Sequence, residues 1–119
     1  MIFEFNLITE VKDNCLIINT IGYINNIGGQ KIVDEFYKHN VKGINNVILN
    51  LAKSNAVNSI GISFLIEIIE KLNQTNGKLI FSNLDPSVEK TFTIIGLFQF
   101  ARKADNMEEA LKLLKTGSM

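Results

Sequence analysis

The sequence of 119 residues has no tryptophan, one cysteine, one histidine and one proline. A lone Cys15 cannot close an internal disulfide, so a packed apolar core must hold the chain, as in a reducing compartment. Cys15 and His39 together fall short of the three or four ligands of a zinc site, and no metal is expected. Charge of one sign is not in excess: twelve basic residues face twelve acidic ones. Domains that bind nucleic acid directly carry a basic surplus, so no such partner is expected. No apolar run approaches the roughly 20 residues of a membrane span, which argues against membrane insertion. The opening Met1-Ile2-Phe3-Glu4-Phe5 has neither the basic region nor the long apolar stretch of a signal peptide, and a cytoplasmic location is expected.

The motifs of common enzymes are missing too. Lys53-Ser54 follows no glycine frame, so there is no phosphate-binding loop, and no GxGxxG follows a strand. His39 sits late in a helical pattern among polar neighbours, an ordinary surface position with no Ser-His-Asp arrangement around it. A phosphoryl-accepting receiver domain needs an acidic cluster at its strand ends. Here the corresponding strand ends in Asn50. We therefore expect no catalytic residue, no cofactor and no enzymatic activity.

What is present is a composition of 46% hydrophobic and 20% charged residues, ordinary for one globular domain. That domain is expected over residues 1–115, with Thr116 to Met119 a frayed tail. Phe3, Phe5 and Leu7 alternate with Glu4 and Asn6, the pattern of a half-buried strand. The Asp13-Asn14 turn then leads into an apolar strand over Cys15–Ile21, making an antiparallel hairpin. Ile32, Val33, Phe36 and Tyr37 recur at helical spacing, predicting a helix from about Ile27 to about His39 capped by Asn25 or Asn26. Val47–Leu51 reads as a central strand buried on both faces. A second helix carries the stripe Ile62, Leu65, Ile66, Ile69 and Leu72, and Gly77 is expected to close it in the left-handed conformation. Lys78–Ser82 is a further strand, and Asp85-Pro86 opens a third helix that runs to Gly96. A short edge strand is expected near Phe98–Arg102, followed by a last helix that Asp105-Asn106 would cap. The fold class is thus α/β: a mixed sheet, antiparallel hairpin first and parallel strands after it, flanked by about four helices.

One segment stands out. Asn58-Ser59-Ile60-Gly61 places a hydroxyl where a loop meets the second helix. On its own, Ser59 reads as an N-cap, accepting a bond from a free first-turn amide at about 1 kcal/mol. Gly61 reads as a point of close packing.

Six segments in order, namely Gly22-Tyr23-Ile24-Asn25, Val47-Ile48-Leu49-Asn50-Leu51, Val57-Asn58-Ser59-Ile60-Gly61, Asn83-Leu84-Asp85-Pro86-Ser87-Val88, Ile95-Gly96-Leu97 and Asn106-Met107-Glu108-Glu109-Ala110-Leu111, resemble the motifs of the STAS domain. The likeness is greatest to its stand-alone anti-sigma factor antagonists, and it spans nearly the whole chain. It implies a non-catalytic binding module for an anti-sigma factor with serine kinase activity, which would phosphorylate Ser59 and so control transcription. It also implies a partner-binding surface of Asn25, Asn26, Asn58, Ser59 and Gly61, with Ser63 and Phe64 as exposed neighbours. Asn25, Asn50 and Asn58 stand where the family usually has aspartate, keeping its size and turn-forming capacity without its charge. A second implied reading is an unphosphorylated accessory subunit of a transporter or lipid-trafficking ATPase. Hydrophobic neighbours of the second helix suit either a partner or a homodimer, and the sequence does not choose between them.

Overall fold

The protein's structure, a computed structural model, describes residues 4–116. Strand β1 (Asn6–Lys12) and strand β2 (Cys15–Ile21) form the expected hairpin. Asp13 and Asn14 both take positive φ, 52° and 63°, which is what a two-residue turn needs to match the twist of its strands. Helix α1 (Asn26–Asn40), strand β3 (Asn46–Lys53), helix α2 (Ser59–Gln74), strand β4 (Lys78–Ser82) and helix α3 (Pro86–Ile95) follow. A short 3₁₀ turn (Leu97–Gln99), strand β5 (Arg102–Ala104) and helix α4 (Met107–Thr116) complete the described residues. The sheet runs in chain order β1-β2-β3-β4-β5, antiparallel in its first pair and parallel in the other three. The expected mixed sheet with four helices is therefore observed.

Each face of the sheet is covered differently. On one face α1, α2 and α3 pack Ile32, Phe36, Leu65, Ile68, Leu72 and Phe92 against Leu16, Ile18, Leu49, Leu51 and Phe81. On the other, α4 lays Ala110, Leu111 and Leu114 over Cys15, Ile17, Ile48, Ile80 and Ala104. Burial on both faces explains why β3 and β4 read as continuous apolar runs rather than alternating ones.

Several local expectations are corrected. Residues 1–3 lie outside the described residues, and the first strand begins at Asn6 instead of near Phe3, although Phe5 is buried and Glu4 and Asn6 are exposed as the alternation requires. The left-handed residue closing α2 is Asn76, at φ 58°, not Gly77. Gly77 is needed for space, because a Cβ there would collide with the carbonyl oxygen of Asn45. No strand spans Phe98–Arg102. Gly96 turns the chain at φ 88°, and Phe98 swings into an aromatic cluster, 6.3 Å from the ring centroids of both Phe81 and Phe92. Ring packing takes Phe98 and the 3₁₀ turn takes Leu97–Gln99, so β5 starts only at Arg102. His39 is half-buried rather than freely exposed, with Nδ1 3.0 Å from the carbonyl oxygen of Glu35. The expected tail divides: Thr116 ends α4, and residues 117–119 lie outside the described residues.

Candidate functional site

Two connections at the carboxyl ends of parallel strands build the site. After β2 the chain turns at Gly22, φ 107°, and the Gly22 amide donates to the carbonyl of Lys53 at 2.9 Å. Beyond β3, Ile24 and Val57 form a single parallel bridge. The Ile24 amide donates to Ala56 O at 3.0 Å, and the Asn58 amide donates to Ile24 O at 3.1 Å. These bonds zip the two loops together and bring the amino ends of α1 and α2 alongside each other.

Each helix start is capped by an asparagine. Asn25 Oδ1 accepts from the amides of Ile27 and Gly28, both at 3.0 Å, which selects Asn25 over Asn26 as the cap of α1. Asn58 Oδ1 accepts from the Gly61 amide at 2.8 Å. Asn58, not Ser59, is therefore the N-cap of α2, a correction to the simplest reading of that hydroxyl. The reason is geometric: Asn58 has the extended backbone (φ −95°, ψ 177°) that a cap requires, and Ser59 is already the first residue of the helix. Ser59 is exposed, and its hydroxyl makes no hydrogen bond among the described residues.

Gly61 and Gly29 set how closely the elements approach. A Cβ on Gly61 would overlap the Ile24 carbonyl oxygen and lie 2.9 Å from its carbon, so only glycine lets α2 start against this loop. A Cβ on Gly29 would meet Phe64 Cδ2 at 2.5 Å. Phe64 is accordingly half-buried between α2 and α1, packed against the core. Of the sequence-predicted surface, Asn26, Ser59 and Ser63 are exposed, Asn25 and Asn58 are half-buried caps, and Gly61 is buried. The expectation of an exposed Phe64 is corrected, because the adjacent Gly29 leaves a slot that the ring fills. Ser63 spends its hydroxyl on the Ile60 carbonyl at 2.6 Å.

The structure adds residues that the sequence reading passed over. Tyr23, Ile27 and Ile60 are 44%, 58% and 53% exposed around the two helix starts. They make an apolar collar beside the Ser59 hydroxyl. A cleft of about 430 Å³ opens between the loop after β3 and α3, lined by Tyr23, Asn55, Asn58, Ser87 and Thr91 among others. Large apolar residues next to helix caps were the available signal for the collar. The cleft had none, because Ser87 and Thr91 reach it only through the packing of α3.

Electrostatically the site is nearly bare. Neither α1 nor α2 has an acidic residue in its first turn, so no carboxylate there offsets the two helix dipoles. The third asparagine, Asn50, lies inside β3, which runs on to Lys53 rather than ending near Asn50 as the sequence suggested. It donates to Asn19 Oδ1 at 2.8 Å and accepts from the Ala52 amide at 3.1 Å, so it ties β3 to its partner β2 where their register shifts. The described residues contain no group of three or more His, Cys, Asp or Glu side chains that could hold a metal, and no helix long and apolar enough to cross a membrane.

Comparison with known proteins places this geometry in context. The sequence pattern of the STAS domain matches residues 6–110. The candidate anti-sigma factor antagonist BtrV of Bordetella bronchiseptica is 27% identical over 105 residues, covering 88% of this chain and 90% of that protein. Among solved structures, a candidate anti-sigma factor antagonist from Thermotoga maritima superposes with a TM-score of 0.85 at 15% identity, over 92% of this chain and 94% of that one. The Bacillus cell fate determinant SpoIIAA, solved in its phosphorylated form, gives 0.72 at 21% identity, over 93% and 99%.

Proposed function

Because the chain belongs to the STAS domain family, we propose that it is an anti-sigma factor antagonist, a non-catalytic cytoplasmic module switched by phosphorylation of Ser59. The observation that carries this reading is the Ser59 hydroxyl, exposed and unbonded at the first position of α2. A kinase can reach it without unfolding anything. The similarity to BtrV and the fold shared with phosphorylated SpoIIAA support the same assignment.

The switch follows from charge. Phosphate would add about −1.5 to −2 charges at neutral pH. The helix amides around it would tolerate the dianion, since the first turns of α1 and α2 hold no carboxylate. The partner would not. Tyr23, Ile27 and Ile60 offer an apolar contact ring, and a dianion placed inside such an interface without a counterion costs several kcal/mol. About 4 kcal/mol is a thousandfold loss of affinity, enough to release an anti-sigma factor. Asn58 supplies the α2 cap through its amide oxygen but no acid beside the hydroxyl, so activation of the serine falls to the kinase.

The test is incubation with an anti-sigma kinase and ATP, followed by intact mass and binding measurements. The expected result is one added phosphate, absent in Ser59→Ala, with binding kept by Ser59→Ala and lost by Ser59→Asp. Equal binding by both variants refutes the switch. The second reading, an unphosphorylated accessory subunit of a transporter or lipid-trafficking ATPase, is favoured by the neutral Asn25, Asn50 and Asn58. It predicts no phosphate and co-purification with an ATPase subunit.

A further inference from the structure

The outer margin of β1 is an open edge. Among the described residues, the sheet order leaves β1 hydrogen-bonded on one side only, to β2. With a two-residue turn, Lys12 and Cys15 form the closing hydrogen-bonded pair, so Asn6, Ile8, Glu10 and Lys12 aim their backbone groups at β2. Leu7, Thr9 and Val11 aim theirs outward. Proteins usually blunt such an edge with proline, a bulge, a very short strand or charged side chains, and of these β1 carries only the charges of Glu10 and Lys12. Strand β1 has seven residues, no proline and an unbroken register with β2. Ile8, its third residue, is 62% exposed, and Val11 is exposed near its end. The opposite margin, β5, is only three residues long.

We propose that the β1 edge pairs with the β1 edge of a second copy of this chain, antiparallel about a two-fold axis at Ile8, joining two sheets into one. Self-complementarity fixes the register. Centred on Ile8, the pairing sets Ile8 across from Ile8, Leu7 across from Thr9, Asn6 across from Glu10 and Glu4 across from Lys12. Leu7 and Thr9 both carry outward backbone groups, so they meet as a hydrogen-bonded pair. Ile8 falls at a non-hydrogen-bonded pair, where side chains come closest. Apolar meets apolar at the axis, and opposite charges meet at both ends. A register centred on Thr9 sets Glu10 across from Ile8 and leaves Lys12 facing Asn6. One centred on Glu10 opposes two carboxylates. Only the Ile8 register matches both polarity and charge. The Asn6 side chain now accepts the Leu7 amide at 2.9 Å. On pairing, that amide passes to the second copy and Asn6 is freed to meet Glu10.

Sedimentation equilibrium on the full chain tests this. The wild type is expected to show a concentration-dependent monomer–dimer equilibrium, and Ile8→Arg, which opposes two cations at the axis, to weaken it at least tenfold. Lys12→Glu and Glu4→Lys should each weaken the dimer, and the double variant Glu4→Lys/Lys12→Glu should restore it. All three positions are exposed, and an unchanged melting temperature under dilute, monomeric conditions verifies that each variant folds. A wild type that stays monomeric at millimolar concentration overturns the proposal, as does a dimer indifferent to Ile8→Arg or to the charge reversal.

Discussion

Replacing Gly61 with alanine forces a methyl group into the carbonyl of Ile24, and the consequence can be worked through. The new Cβ would overlap the Ile24 oxygen, sit 2.9 Å from its carbonyl carbon and 3.1 Å from its Cγ2. Two of these three obstacles are backbone. They cannot turn aside, because the Ile24 amide is bonded to Ala56 O and the Ile24 carbonyl accepts from the Asn58 amide. Overpacking a tight site usually costs about 1–3 kcal/mol, and a pinned backbone argues for the upper end, about 3 kcal/mol. Alanine returns about 1 kcal/mol of helix propensity. The net loss is about 2 kcal/mol, or about 8 °C in melting temperature at about 4 °C per kcal/mol for a chain of this size. Urea unfolding at constant slope is the assay, with thermal melting as a second reading. Gly29→Ala is the control. Its obstacle is the Phe64 ring, a side chain, so adding Phe64→Leu should recover part of the loss through favourable coupling. Truncating the Ile24 side chain should not rescue Gly61→Ala. A Gly61→Ala protein as stable as wild type refutes the close-approach account, and with it the claim that this glycine fixes where Ser59 is presented.

Two further predictions concern single residues. Asn58→Ala removes the side-chain cap of α2 and should lose about 1 kcal/mol in urea unfolding. Asn58→Asp should match or exceed wild type at neutral pH, since a carboxylate there also favours the helix dipole; an aspartate no better than alanine refutes Asn58 as the cap. Burial pushes the Cys15 thiol up from its ordinary 9.0 to about 12, against a smaller lowering by a backbone hydrogen bond from Ile48. The folded state thus binds this proton more tightly than the unfolded chain does. The stability it contributes is full below pH 9.0, declines as pH rises between 9.0 and about 12, and is lost above that. Cys15→Ala should remove this part of the alkaline destabilisation, and thiol labelling of the native protein at pH 8 should proceed only as fast as unfolding. Rapid labelling of native protein contradicts the burial of Cys15 beneath α4.

The sequence by itself determined the order and type of nearly every element, because periodicity and turn chemistry act locally. Val47–Leu51 is apolar whichever neighbours cover it, Asp13-Asn14 tolerates positive φ at both turn positions, and Pro86 suits only the start of a helix. It also marked Ser59 and Gly61, since a hydroxyl and a glycine at a loop–helix junction carry chemical meaning at short range. Tertiary structure decided what depends on residues distant in the chain. Asn58 rather than Ser59 caps α2 because the bridge between Ile24 and Val57 fixes its extended backbone. Phe64 turns inward because Gly29, thirty-five positions earlier, leaves it room. Phe98 leaves the expected edge strand for the rings of Phe81 and Phe92. Tyr23, Ile27 and Ile60 become one surface only when two loops are zipped together. Local free-energy preferences select each segment's conformation, but which side chains share a surface is set by long-range packing, and that is where the site was assembled.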